Sequence, residues 1–237
     1  MSGGDRLRAL VIEHERATPG GLVYQWLEER DAHLDIYRID VEQREIEPRD
    51  YGMIVSLGSE FPAYDDSLPW LKREMDLMSE ATERDVPILG ICFGGQLLAR
   101  TLGGRVWRSD ESEIGWLPVN SKDPELVPEG PWFQWHFDVF EPPPGAEEIA
   151  DTPLGSQAYR IGRSLGVQFH PEVTPEIMDS WVRVYRHELD ADGVDPDRLL
   201  AETRERAADT RKTAWRLFDR FIDRIAGGRA EEVAGGR

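Results

Sequence analysis

A single cysteine, Cys92, and two histidines followed two positions later by a carboxylate, His136-Phe137-Asp138 and His170-Pro171-Glu172, have the types and spacing for nucleophilic chemistry in this chain. A thiol nucleophile needs a ring that shuttles its proton and a carboxylate that orients the ring. Cys92 sits in the run Val86-Pro87-Ile88-Leu89-Gly90-Ile91-Cys92-Phe93-Gly94-Gly95-Gln96, where apolar residues give way to a Gly-x-Cys-x-Gly turn. Gln96, Leu97, Leu98, Ala99 and Arg100 then favour a helix. A strand-to-helix turn of this kind lifts the side chain above the carboxyl end of a sheet, and the glycines on either side keep the backbone clear. The amino end of the helix also favours negative charge on the sulfur.

Five histidines are available to serve the cysteine. His14 and His33 lie beside a loop and a strand start and read as surface residues, and His187 falls in a charged helical turn, Tyr185-Arg186-His187-Glu188. In extended backbone, positions i and i+2 point the same way, so both remaining histidines can meet their carboxylates. Spacing barely separates them. The position of His170 at the end of the apolar run Leu165-Gly166-Val167-Gln168-Phe169, with Pro171 keeping it out of helical geometry, tilts the choice toward it.

Short apolar strands at 7–12, 34–39, 51–57 and 86–91 alternate with helical segments at 21–30 and 67–84, the second capped by Ser67 with Pro69 in its first turn. This alternation predicts an α/β fold with a mostly parallel, doubly wound sheet, helices on both faces, and ligands beyond the carboxyl ends of the strands. Gly58 and Cys92 both fall at such ends. From Gly104 onward shorter strand-like pieces, separated by turns such as Pro142-Pro143-Pro144-Gly145, predict antiparallel hairpins added to the main sheet. Segments 175–188 and 196–226 read as helical. In the latter Ala214, Leu217, Phe218, Phe221, Ile222 and Ile225 form a stripe expected to pack on the chain's own core. Residues 1–226 are expected to form one domain, with 193–226 as a C-terminal helical extension and 227–237 as a disordered tail.

With 46 acidic against 28 basic residues and a formal charge of −18, the surface is unsuited to a phosphate backbone, so no nucleic-acid partner is expected. One cysteine excludes an intramolecular disulfide, and Met1-Ser2-Gly3-Gly4-Asp5-Arg6 is too polar for a signal peptide. No run reaches the roughly 18 to 20 apolar residues of a membrane helix. The expectation is a soluble cytoplasmic protein with no membrane partner.

The pair Gly90-Ile91-Cys92-Phe93-Gly94-Gly95-Gln96-Leu97-Leu98-Ala99 and Gly166-Val167-Gln168-Phe169-His170-Pro171-Glu172 resembles the class I, or triad, glutamine amidotransferases. The likeness takes in Gly58, Trp135-His136-Phe137-Asp138 and Pro143-Pro144-Gly145-Ala146, and so runs from about residue 7 to 184. It implies the flavodoxin-like architecture of that family. It further implies that Cys92 attacks the side-chain amide of glutamine or a γ-glutamyl compound to give a thioester, with His170 as general base and acid and Glu172 orienting it. The amides of Gly58 and Phe93 would match the oxyanion hole, Gln96 the glutamine-contacting position, and the backbone of Trp135, His136 and Phe137 the segment holding the substrate's amino-acid end. The resemblance calls for no cofactor and no metal.

Two departures from the family pattern stand out. Gly95 occupies a position where many members carry histidine, and Leu57-Gly58-Ser59-Glu60 replaces a usually glycine- and proline-rich loop. No second catalytic domain is recognisable in the sequence. The expected function is therefore glutamine hydrolysis with ammonia released to a separate synthase partner. A free-standing γ-glutamyl amine or peptide hydrolase and a silent binding module on the same fold are the alternatives.

Overall fold

A computed structural model describes residues 6–227; the expected disordered tail lies, apart from Gly227, outside the described residues. In chain order the elements are β1 (Arg8–Glu13), α1 (Gly21–Glu29), β2 (His33–Arg38), β3 (Met53–Ser56), α2 (Leu71–Glu83), β4 (Ile88–Ile91), α3 (Phe93–Thr101), β5 (Arg105–Leu117), β6 (Asn120–Ser121), β7 (Trp132–Glu141), β8 (Glu147–Thr152), β9 (Gly155–Ile161), β10 (Ser164–Val167), α4 (Pro175–Val184), α5 (Arg186–Asp192) and α6 (Pro196–Phe221). A final π turn covers Ile222–Ala226.

The eight-stranded sheet has the order β2-β1-β3-β4-β10-β9-β8-β6. Its first five strands are parallel, and β9, β8 and β6 extend it in antiparallel fashion. Parallel strands covered on both faces must be apolar throughout, which is why β3 and β4 read as short unbroken apolar runs. Their alternate side chains go to opposite layers. Ala9, Val11, Met53, Val55, Leu89 and Ile91 pack with α1 and α6. Leu10, Ile12, Ile54 and Ile88 pack with α2 and α3 on the other face. The apolar stripe of α6 serves this core as expected: Phe218 lies 5.5 Å from Trp26, whose Nε1 donates to Asp219 at 3.0 Å.

Two local expectations need correction. The hairpin pieces after Gly104 do not all join the main sheet, because β5 and β7 pair with each other as a separate two-stranded ribbon. The register of that ribbon breaks between Arg108 and Glu113, a bulge that bends it over the end of the main sheet's parallel strands. Helix α2 begins at Leu71, not at a Ser67 cap, since Ser67 turns its hydroxyl back to Asp65 at 2.6 Å and leaves residues 68–70 as a turn. The helix buries Glu74 in the middle of its apolar face and leaves Met75 only partly covered, against the periodicity of the sequence.

The parallel register fixes where chemistry can assemble. Ile54 pairs with Ile88 and Ser56 with Gly90, while Val167 pairs with Ile91, so β3, β4 and β10 end at nearly one level. Helix α3 then presses against two of these strands. A Cβ on Gly90 would come within 2.5 Å of the Gly94 carbonyl, and one on Gly94 would overlap the carbonyl of Ser56. At Gly95 a Cβ would lie 2.7 Å from the Val167 carbonyl, so this backbone has no room for the histidine many family members carry there. Gly94→Ala therefore forces the helix off β3. We expect it to cost about 1 to 3 kcal/mol and, at about 2 to 4 °C per kcal/mol for a chain of this size, to lower Tm measurably in calorimetry. An unchanged Tm would show that the contact yields without strain.

Candidate active site

Cys92 caps α3 with φ 50° and ψ −108°, a conformation rare for a residue with a Cβ. Backbone bonds hold it there. Its N–H donates to Val167 at 2.8 Å, its carbonyl accepts from the Gln96 N–H at 2.9 Å, and the Gly94 N–H donates to Leu57 at 3.1 Å. The result is a buried thiol raised at the carboxyl end of β4, over the first turn of a helix whose free amides favour negative charge.

His170 arrives three residues beyond β10, with its N–H donating to Phe133 at 2.8 Å. The ring is buried, stands edge-on to Trp181 at 4.9 Å, and brings Nδ1 within 2.7 Å of Glu172 Oε1. Glu172 is fixed in turn, because its carbonyl accepts the Leu22 N–H at the start of α1 at 2.9 Å. Burial alone would push the ring toward its neutral form. The charges of Glu172 and then Cys92 outweigh that and hold His170 up at about 10.

The second pair meets differently. His136 Nδ1 lies 3.1 Å from the backbone carbonyl of Asp138, not from its carboxylate, which accepts from Tyr64 at 3.2 Å. Its Nε2 lies 3.0 Å from Glu113 on β5. The ribbon partner thus supplies the carboxylate, and the i, i+2 expectation fails here because the bulge in β5 brings Glu113 opposite His136.

Cys92, Gln96, Trp135, His136, Phe137 and His170 line one cleft of about 120 Å³. Glu172 sits behind His170, and Gly58 borders both reactive groups: a Cβ there would lie 3.0 Å from His170 Cε1 and 3.9 Å from Cys92 Cβ. Among the described residues no acceptor engages the N–H of Gly58 or of Phe93. Gln96 Nε2 donates to Gln168 Oε1 at 3.1 Å and to the Asp138 carbonyl at 3.2 Å.

Several groups escape a reading of the sequence. Gln168 donates its amide to the Cys92 sulfur at 3.6 Å, and its signal was its place within the histidine motif. Trp181, Tyr185 and Glu188 close the cleft from α4 and α5, with Trp135 donating to Glu188 at 2.7 Å. His14 is fully buried, contrary to its surface assignment, while His33 and His187 are exposed as expected. At the mouth, burial pushes Glu15 up to about 7, with the like charge of Glu60 adding to it against the Glu60 N–H bond. A buried sulfur, an imidazole tied to a carboxylate, and two unengaged amides form a set suited to acyl transfer.

Among the groups that raise the His170 value, Glu172 is the leading one. In the native protein a raised ring pKa adds stability that is complete below about 6.5 and is lost as pH rises through about 10. Ring resonances of His170 should titrate far above the ordinary histidine range, and Glu172→Gln should move the midpoint down toward it. A midpoint unmoved by Glu172→Gln would show that the carboxylate does not hold the charge.

Comparison with known proteins adds a finding from outside the geometry. The family model described as glutamine amidotransferase class-I matches residues 21–183. A glutamine-hydrolysing GMP synthase of Thermus thermophilus is 39% identical over 144 residues, covering 53% of this chain and 28% of that protein. Its counterpart in Staphylococcus saprophyticus is 32% identical over 160 residues, covering 64% and 30%. The chain thus spans less than a third of the curated relatives it matches. A crystal structure of a glutamine amidotransferase from Thermotoga maritima superposes with a TM-score of 0.85 at 30% identity, covering 93% of this chain and all of that one. Another from Methylobacillus flagellatus gives 0.85 at 25% identity, covering 98% and 100%. With more than half its length matched by the family model and nearly all of it superposing on a solved member, the chain belongs to the class I glutamine amidotransferase family.

Proposed function

We propose that this chain hydrolyses the side-chain amide of glutamine at Cys92 and releases ammonia for a separate synthase. The observation that carries the reading is the His170–Glu172 pair, 2.7 Å apart and buried, behind a thiol presented on a strained turn in the same cleft. In this reading the Cys92 sulfur attacks the amide carbon, and charge develops on the oxygen facing the N–H groups of Gly58 and Phe93. The C–N bond breaks as His170 gives its proton to the leaving nitrogen, so ammonia departs and a γ-glutamyl thioester remains. His170 then takes a proton from water, the hydroxide attacks the thioester, and glutamate leaves as the thiol is restored. Glutamine and water are consumed; glutamate and ammonia are formed.

Gln96 and the backbone of Trp135, His136 and Phe137 serve on this reading to hold the substrate's amino-acid end. Residues 1–226 act as a single domain with 193–226 as its helical extension, in the cytoplasm. Among the described residues no helix is long and apolar enough to cross a membrane. The curated relatives are named GMP synthases and this chain matches less than a third of their length, which supports a separate partner that consumes ammonia.

A glutamine-mimicking diazo-ketone should place one label per chain on Cys92, and Cys92→Ala should abolish both labelling and turnover. His170→Ala should lower kcat by about 10²- to 10⁴-fold, the range typical of a proton-transfer group, whereas His136→Ala should act mainly on KM. The reverse ranking in folded variants would transfer the role of base to His136. The isolated chain should hydrolyse glutamine weakly until a synthase docks. Turnover of a γ-glutamyl amine at an ordinary enzymatic rate, on the order of 1 to 1,000 per second, and far above that for glutamine, would replace the ammonia-donor reading.

A further inference from the structure

The structure contains a second buried histidine–glutamate pair that the mechanism above does not use. His14 follows β1 and Glu74 lies one turn into α2, and both side chains are fully buried. His14 Nε2 is 2.8 Å from Glu74 Oε2, and Glu74 Oε1 accepts the Ser56 hydroxyl at 2.7 Å. On its other edge His14 Nδ1 is 3.1 Å from the carbonyl oxygen of Gly58. The ring also stands edge-on to Phe93, with centroids 4.6 Å apart, and lies against Trp70 at 5.2 Å.

One side chain therefore touches both residues whose amides flank Cys92. A carbonyl oxygen only accepts, so Nδ1 carries a proton; Glu74, bound by Ser56 as well, accepts from Nε2. Burial disfavours the resulting charge, but Glu74, the Gly58 carbonyl and Glu15 outweigh it and hold His14 above its ordinary value. A buried ion pair carries little net stability, and removing one partner strands the other. A pair kept at the base of a reactive loop is thus poorly explained by stability alone.

We propose that His14 is a positioning residue, which, clamped by Glu74 and Ser56, locks the Gly58 carbonyl and the Phe93 ring so that the amides of both residues face the oxygen that gains charge over Cys92. The loop Leu57-Gly58-Ser59-Glu60 lacks the prolines that would stiffen it, and the clamp supplies the rigidity instead. Preorganised donors act only where charge develops, so the clamp acts on the transition state more than on substrate binding. The inference rests on the glutaminase reading for the identity of that oxygen.

The test compares His14→Gln, His14→Asn and Glu74→Gln in the full chain, each checked for folding by circular dichroism. An Asn amide nitrogen falls near Nδ1 and can still donate to Gly58; a Gln amide falls near Nε2 and keeps Glu74 but releases Gly58. Loss of one oxyanion donor costs about 10²- to 10³-fold, so a misaimed donor in His14→Gln should lower kcat by roughly 10- to 100-fold with KM nearly unchanged. Labelling by the diazo-ketone, whose carbonyl occupies the same place, should fall in parallel. Alkylation by iodoacetamide, which builds no charge on a carbonyl oxygen, should change little.

His14→Asn should recover most of the loss, and Glu74→Gln, nearly isosteric, should reproduce part of it. Unaltered kcat in a folded His14→Gln protein, equal losses toward both reagents, or an Asn variant no better than Gln would overturn the proposal. If the wild-type protein takes iodoacetamide on Cys92 but neither turns over glutamine nor takes the diazo-ketone, the glutaminase reading fails. The clamp is then decided by nitrogen-15 spectra of the wild-type rings: a His14 protonated at Nδ1 at pH 7 upholds it, and a ring without a proton at Nδ1 overturns it.

Discussion

The close seating of the first turn of α3 on β3 and β10 is the constraint from which the rest of the site follows. Without a Cβ at 94, the helix backbone lies directly on the Ser56 carbonyl; without one at 95, it lies on Val167. Those contacts, together with the Cys92 N–H bond to Val167, hold the cysteine at φ 50°. An unusual backbone conformation persists only where its surroundings over-determine it. Here they do so from both neighbouring strands, and the sulfur is delivered to the one level at which β3, β4 and β10 all end.

Besides His136 and Glu113, two more deeply buried histidine–glutamate pairs flank that sulfur, built by different means. His170 and Glu172 lie two positions apart in the bend and turn that follow β10, so local backbone geometry brings them together. His14 and Glu74 come from a strand end and a helix 60 residues apart, and meet only because α2 packs on the face of the sheet opposite α1. Each pair is fully buried, so each ring is charged or neutral according to its partner and not to solvent.

The cleft around these groups is a composite. Its floor is the main sheet, one wall is the bent β5–β7 ribbon, and another comes from α4 and α5, where Trp181 and Tyr185 pack edge to face against Trp135 of the ribbon. Aromatic walls exclude water while leaving Nε1 of Trp135 bonded to Glu188. Exclusion of water strengthens every polar interaction inside, which suits a reaction whose transition state carries a negative oxygen.

The residues with local meaning were legible in the sequence. Glycines around Cys92, helix formers after it, an apolar strand before His170 and a carboxylate two positions on each express their geometry within a few residues, because turn sterics and strand pleat are short-range effects. Alternating strands and helices likewise announced the parallel sheet. What only tertiary structure decided are the contacts between segments. Which carboxylate reaches His136 depended on the bulge in β5, and the burial of His14 depended on α2 presenting a glutamate from an apolar face. Ser67 looked like a cap until the turn at 68–70 took its hydroxyl to Asp65. A polar residue inside an amphipathic pattern carries no local sign of its partner, since that partner is chosen by how the elements pack and not by spacing along the chain.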